Sequence, residues 1–89
     1  VQLTKAMVQE RLAACTQIIG PILSTYWWKE TVETEEEWLC LFKTTTERYA
    51  KLEARIVELH PFEVPQVVAL ELKHALPAYR EWIRSETAK

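Results

Sequence analysis

Two side chains in this sequence are candidate ligands for a soft or borderline metal ion. Cys15 and His60 offer a thiolate and an imidazole, the ligand types that copper and zinc prefer. They lie far apart in the sequence, and no CxxC or HxxxH pair accompanies them. The sequence therefore predicts no dedicated structural metal site, and leaves open a site that Cys15 and His60 join only in the folded protein.

Both cysteines also have a structural interpretation. Cys15 lies where a predicted helix meets a strand, and Cys40 is flanked by Leu39 and Leu41 in an apolar run. Free cysteine behaves as a small hydrophobic residue and is commonly buried. Two cysteines are too few for the disulfide framework of a small secreted domain, so we expect both to be reduced and buried.

His60 ends a predicted helix and begins a loop bracketed by Pro61 and Pro65, with Glu63 three residues on. The helix dipole favours a cation at this position, which predicts a capping role. Loops held by a rigid scaffold often carry function, which predicts a pocket residue, and both interpretations stay open. A His60–Glu63 pair could orient an imidazole for proton transfer, but no nucleophile accompanies it, so we predict no catalytic residue and no enzyme.

Charged residues near the middle of the chain suggest ion binding at first sight. The acidic run contains Glu33, Glu35, Glu36 and Glu37, but consecutive side chains on a strand point to opposite faces, so these carboxylates cannot all converge on one cation. A solvated hairpin edge that discourages aggregation is the better interpretation. Lys43 could hold an anion near the start of the following helix, or be an ordinary surface lysine.

Composition excludes several classes of protein. The 89 residues fit one domain, and 11 Lys plus Arg against 13 Asp plus Glu, without a basic run, argue against a nucleic-acid partner. No apolar stretch approaches the roughly 20 residues that span a bilayer, so we expect no membrane association and a cytoplasmic location. A single glycine excludes phosphate-binding glycine loops, and the lack of aspartate excludes a Ser-His-Asp triad.

The elements that must position these residues follow from hydrophobic periodicity and breakers. Apolar spacing predicts a helix over 1–14, and strand formers predict a strand over 15–28 that bends at Gly20-Pro21. A hairpin tip at 29–33 leads to a returning strand at 37–43. Further along the chain we predict a helix over 47–59, a strand over 67–72 and a helix over 77–86.

The predicted order of elements is that of a βαββαβ fold without its first strand. With that strand the chain would be α+β and ferredoxin-like, with an antiparallel sheet and an extra C-terminal helix. We therefore expect one domain over 1–89 that is incomplete at its N-terminus. The sheet would have to close around the gap or borrow a strand.

Three consecutive aromatic residues lie on the first predicted strand. Alternation puts Tyr26 and Trp28 on one face and Trp27 on the other. One face can then pack on the helices while the other meets a neighbouring molecule. Burial within the protein is the favoured interpretation for most of them, because aromatic residues dominate both cores and interfaces.

Four short motifs of the chain occur in a fixed order. The most specific is His-Pro-Phe-Glu-Val-Pro at 60–65, and the others are Glu-Arg-Leu-Ala-Ala-Cys at 10–15, Ser-Thr-Tyr-Trp-Trp at 24–28 and Tyr-Arg-Glu-Trp-Ile at 79–83. Together these motifs resemble the CutA family of divalent-cation tolerance proteins. Glu37 and Lys43-Thr44-Thr45 follow the second segment at the family's distance. The chain departs from the family pattern at Glu30, Phe62 and Gln66.

The resemblance implies a PII-like homotrimer that assembles through its sheets, with a pocket between subunits. Carried over to this sequence, the pocket would involve Trp28, Lys43, His60 and Glu63, and a metal would involve Cys15 and His60. The ligand would be copper(II) or another divalent cation, or a small anion. The alternative is a PII-like scaffold or signalling trimer that binds a protein partner, with incidental metal binding.

Overall fold

The computed structural model describes residues 2–60 and 65–89. The described part of the chain contains three helices and two strands. In chain order these are α1 (Gln2–Gln9), β1 (Cys15–Trp28), β2 (Thr31–Lys43), α2 (Thr46–Leu59) and α3 (Pro77–Ala88).

A long antiparallel hairpin forms the sheet. Its register runs from Cys15 opposite Lys43 to Trp28 opposite Thr31, and it shifts between Ile19 and Ile22. The predicted bend at residues 20–21 is confirmed. The shift leaves two residues of β1 facing one residue of β2, which is the arrangement of a β-bulge.

The hairpin turn is tighter than predicted. Lys29 and Glu30 have φ angles of 49° and 68°, the pair of left-handed conformations that a two-residue type I′ turn requires. The prediction of a tip at 29–33 and of a strand starting at residue 37 was therefore wrong. β2 begins at Thr31 because the acidic stretch pairs residue by residue with the end of β1.

α1 is shorter than the predicted helix over 1–14. Arg11 adopts a left-handed φ of 64°, which ends the helix, since a residue in this conformation commonly closes a helix C-terminus. The amides of Leu12 and Ala13 then donate to the carbonyl of Met7 at 3.0 and 3.2 Å. The segment after the helix turns inward and its apolar side chains are buried.

α2 and α3 confirm the predicted helices over 47–59 and 77–86 to within two residues. The core lies between α1, α2 and the base of the hairpin. It is built from Met7, Leu12, Ala13, Leu52 and Ile56, with Phe42 and Val67 packed against it. The backbone amide of the C-cap residue His60 donates to the carbonyl of Ile56 at 2.8 Å and closes α2.

The predicted strand over 67–72 was wrong. The structure leaves this segment outside regular secondary structure, with Val68 72% and Leu70 88% exposed. Strand formers make a strand only when a neighbouring strand accepts their hydrogen bonds, and within 2–60 and 65–89 the two strands pair only with each other. The class is α+β as predicted, while the full βαββαβ topology stays a prediction.

Ion pairs fix the end of α3 against the corner after α1. Arg11 Nη1 lies 2.7 Å from Glu86 Oε1, and Lys89 Nζ lies 3.3 Å from the same oxygen. The hydrogen bond from Arg11, and then that from Lys89, lowers the pKa of Glu86. The carboxylate therefore stabilises the folded state above its ordinary pKa of 4.5, and this contribution is lost as pH falls through the lowered value.

We expect Glu86→Gln to lower the melting temperature at pH 7, because it removes the charge that Arg11 contacts. The gap from the wild type should narrow as pH falls from the ordinary carboxyl pKa through the lowered value, where Glu86 becomes protonated in the folded protein. Thermal melts across this pH range measure it. Glu81→Gln on the same helix is the matched control, since Glu81 makes only a 3.7 Å contact with Arg84. A gap that does not depend on pH would contradict the ion-pair explanation.

Gly20 gives a second test of the fold. A Cβ atom at this position would lie 2.6 Å from Cε3 of Trp38 and 3.2 Å from the carbonyl oxygen of Glu37. Gly20→Ala should lower the free energy of unfolding by about 1–3 kcal/mol, because overpacking outweighs the backbone entropy gained on replacing glycine. Urea unfolding measures the loss. In a Trp38→Ala background the cost should shrink, and an equal cost in both backgrounds would refute the contact.

Candidate functional site at the base of the hairpin

The start of β1 and the end of β2 meet at the base of the hairpin. Cys15 and Lys43 are cross-strand partners, and the amide of Ala14 donates to the carbonyl of Lys43 at 2.8 Å. The hydroxyl of Thr44 donates to the carbonyl of Leu12 at 2.6 Å. These bonds hold the ends of both strands against the corner after α1. The backbone that carries the side chains at the base is therefore fixed in place.

Four polar side chains form a connected row at this base, which we call the Cys15 cluster. Lys43 Nζ donates to Gln17 Oε1 at 2.7 Å, and Gln17 Nε2 approaches Cys15 Sγ at 3.9 Å. Cys15 Sγ and Tyr79 Oη lie 3.4 Å apart. The cluster therefore joins both strands of the hairpin to the first turn of α3.

Tyr79 is set in the cluster by the start of α3. Pro77 opens the helix, and the amide of Tyr79 donates to the carbonyl of Leu76 at 3.0 Å. The ring also stacks on Trp82, with centroids 5.7 Å apart. The hydrogen bond with Cys15 raises the pKa of Tyr79, with a further contribution from desolvation. The phenol therefore stays protonated past its ordinary pKa of 10.0 and remains able to donate.

The predicted site residues fall in three places. Cys15 and Lys43 meet at the base, whereas Trp28 lies at the hairpin tip, about 40 Å away for 13 residues of extended strand. His60 follows the far end of α2, about 20 Å from the start of that helix. Glu63 lies outside the described residues, as do Phe62 and the middle of the proline loop. A single chain does not bring Trp28, Lys43 and His60 together. Their assembly into one site stays a prediction.

Few metal-ligand donors surround Cys15 in one chain. Within 2–60 and 65–89 no group of three or more His, Cys, Asp or Glu side chains is placed to hold a metal ion. Cys15 contacts a phenol and an amide, and the ammonium group of Lys43, which bonds to that amide, is no ligand. Cys15 can supply one soft donor, and the remaining ligands of a divalent cation would have to come from elsewhere.

The cysteines are less buried than predicted. Cys15 and Cys40 are both half-buried free thiols in the isolated chain. Cys15 remains accessible because it stands on the hairpin face away from the core, on the same side as Gln17. Sequence analysis missed Gln17 and the role of Tyr79, although strand alternation alone puts Gln17 on the face of Cys15.

The carboxylates of the acidic run divide between the two faces of β2, as predicted. Glu33, Glu35 and Glu37 alternate along one face of β2, while Glu36 projects from the other face. Tyr26 lies opposite Glu33 on the acidic face. Desolvation, followed by the hydrogen bond with Glu35, raises the pKa of the Tyr26 phenol.

Comparison with known protein families shows which family the chain belongs to. Residues 1–86 match the family described as CutA1 divalent ion tolerance protein. The chain belongs to the CutA family. The family prediction is therefore confirmed.

Relatives agree in sequence and in fold. The divalent-cation tolerance protein CutA of Thermus thermophilus is 42% identical over 85 residues, covering 96% of this chain and 82% of that protein. A solved structure of the Thermus protein superposes with a TM-score of 0.92 at 41% identity, covering 96% of this chain and 82% of that chain. These relatives are named as tolerance proteins and not for an enzymatic activity.

Two further CutA structures carry informative descriptions. A structure described as a PII-like protein CutA, from Nostoc, superposes with a TM-score of 0.91 at 33% identity, covering 97% of this chain and 84% of that chain. One from Archaeoglobus fulgidus is described as periplasmic, with a TM-score of 0.92 at 27% identity and coverages of 97% and 83%. In this CutA chain, no helix among the described residues is long and apolar enough to cross a bilayer.

The Cys15–Tyr79 contact makes a prediction about tyrosine ionisation. We expect Cys15→Ala to lower the pKa of Tyr79 toward its ordinary value of 10.0, because the hydrogen bond that raises it is lost. Ultraviolet absorbance of tyrosinate during an alkaline titration measures this, with Tyr79→Phe used to assign the component. Cys40→Ala is the matched control and should leave the titration unchanged. A Tyr79 midpoint at or below its ordinary value in the wild type would contradict the contact.

Proposed function

We propose that this CutA chain is a subunit of a homotrimeric divalent-cation tolerance protein. It binds its ligand in pockets between subunits, and that ligand is a divalent cation such as copper(II) or a small anion. The contributing residues are Trp28, Lys43, His60 and Glu63, with Cys15 and His60 as metal ligands.

The observation that carries this proposal is the apolar surface of the hairpin. Large hydrophobic side chains are exposed on both of its faces. Ile19, Ile22, Trp28, Leu39 and Leu41 lie on one face, and Leu23, Trp27, Val32 and Trp38 lie on the other. A two-stranded hairpin is at best marginally stable alone, and nine exposed large hydrophobic side chains on one hairpin leave apolar area in contact with water at a cost. Burial against further copies of the chain removes both problems.

The length of the hairpin supports a pocket between subunits. Trp28 and Lys43 lie at opposite ends of a rigid ladder, so no movement within one chain can bring them together. The tip of one subunit can approach the base of another, where Lys43 and Cys15 stand. Such a pocket would combine an exposed indole with a thiol, a phenol and an ammonium group.

A second candidate function is a PII-like scaffold or signalling trimer with a protein partner. The PII-like description of the Nostoc structure favours it. Metal binding would then be incidental. Neither candidate requires catalysis, and a cytoplasmic location remains our prediction for this chain.

Solution mass tests the assembly. Light scattering should give a mass near three times the subunit mass of 10.5 kDa, both with and without copper(II). Trp27→Glu should yield unstable monomer, because it puts a charge into the apolar face, whereas Lys73→Glu outside the hairpin should leave the mass unchanged. A monomeric wild type, or an aggregate whose size depends on copper, would refute the trimer.

Copper titration tests the ligand. Calorimetry with copper(II) should show stoichiometric binding that Cys15→Ser and His60→Ala each weaken about tenfold or more, since loss of a group that only orients a ligand already costs about that much. The chain offers a matched control for each, in Cys40→Ser and His74→Ala. Binding that is lost equally in the controls, or is absent while the trimer persists, would leave the scaffold function as the better account. Micromolar binding lost only in His60→Ala and Cys15→Ser would count against the scaffold.

A further inference from the structure

A groove between α2 and α3 lies away from the Cys15 cluster. It has a volume of about 370 Å³ and is open to solvent. Its lining comes from the first two turns of α2 and the last two turns of α3. The lining residues are Thr45, Glu47, Arg48, Lys51, Arg84, Thr87 and Ala88.

The groove is cationic on an acidic protein. Arg48, Lys51 and Arg84 bring three positive charges against the single carboxylate of Glu47, a net of +2, while the whole chain carries −2. Arg48 and Lys51 are three residues apart and therefore share one face of α2. Arg84 reaches the same groove from a different helix, so the cations converge through tertiary packing and not through a run in the sequence.

Most of the donors on these cations remain available. Arg48 Nε donates to the carbonyl of Thr87 at 2.6 Å, which uses one of the five N–H donors of its guanidinium. Arg84 contacts Glu81 at 3.7 Å, beyond hydrogen-bond length. Lys51 makes no ion pair with the described residues. The Arg48 bond orients that guanidinium and ties α2 to α3, so the groove has a fixed wall.

Capping of α3 is the simpler explanation for this charge, since cations are favoured near a helix C-terminus. Arg48 accounts for that role through its bond to Thr87. The effect of the helix dipole amounts to about half a unit charge, whereas the lining carries a net of two. Capping therefore leaves most of the positive charge of the lining unexplained, and the 3.7 Å ion pair with Glu81 engages only Arg84.

We propose that this groove binds a small molecule bearing a phosphate group. A phosphate carries close to two negative charges at neutral pH, which matches the net charge of the lining, whereas a single carboxylate carries one. Guanidinium groups present planar forks that match phosphate oxygens, and the ammonium of Lys51 adds a point charge. The volume falls within the range of about 300–1,000 Å³ typical of small-molecule sites, so an organic body fits beside the phosphate.

The site is formed within one chain and does not depend on the proposed trimer or on copper. It is a separate site from the inter-subunit pocket, because Lys43 at the hairpin base donates to Gln17 and does not line the groove. Failure of one proposal therefore leaves the other standing.

Calorimetric titration with inorganic phosphate and with pyrophosphate, at low ionic strength, tests the groove. We expect saturable binding that Lys51→Ala and Arg84→Ala each weaken about tenfold, since each removes a charge-assisted contact. Lys5→Ala and Arg80→Ala are matched controls. They remove the same charge from exposed positions on α1 and α3 outside the groove, and binding should stay within about twofold of the wild type.

Amide chemical shifts during the same titration give a second readout that needs no variant. Phosphate should shift the resonances of Arg48, Lys51 and Arg84 more than those of Lys5 and Arg80. Two results would overturn the proposal. One is no saturable binding of either probe at millimolar concentration. The other is equal weakening by the groove variants and the controls, which would show that only overall charge matters.

Discussion

The buried corner between α1 and β1 is the contact on which the other elements depend. The left-handed Arg11 turns the chain so that Leu12 and Ala13 enter the core beside Met7, which is fully buried. From this corner, backbone and side-chain hydrogen bonds reach the end of β2, and Arg11 reaches the end of α3. One turn of backbone thus sets the hairpin base, and with it the place of Cys15 and Lys43.

Past that corner the hairpin extends without a core of its own. Its base packs on α1 and α2 through Phe42, but its outer half carries exposed aromatic and aliphatic side chains on both faces. A ladder of backbone hydrogen bonds gives it stiffness, whereas burial of these side chains needs another surface. The length and stiffness of the hairpin keep Trp28 far from Lys43 within one chain. A site that contains both residues would therefore need a second copy of the chain.

Negative and positive charges occupy different surfaces of the protein. The acidic residues Glu33, Glu35 and Glu37 line one face of β2, while Arg48, Lys51 and Arg84 gather between α2 and α3. A net charge of −2 conceals this separation, because opposite charges cancel in the total. Two surfaces of opposite sign can serve different ligands or partners without competing for them.

The sequence by itself determined the elements whose signals are local. Apolar spacing located α2 and α3, the break at Gly20 marked the bulge, and motifs such as His60-Pro61 identified the family. Local patterns missed the early end of α1, because an arginine in a left-handed conformation leaves no composition signal. They also predicted a strand over 67–72 that the structure does not form, since a strand exists only with a partner.

Tertiary structure alone decided which side chains meet. Tyr79 contacts Cys15 across 64 positions of sequence, and Arg84 joins Arg48 and Lys51 only because α3 packs beside α2. Long-range contacts of this kind depend on how elements dock, and docking is set by the shape of the buried corner and not by the period of any one segment. The sequence determined which chemical groups are available, and packing decided where they converge.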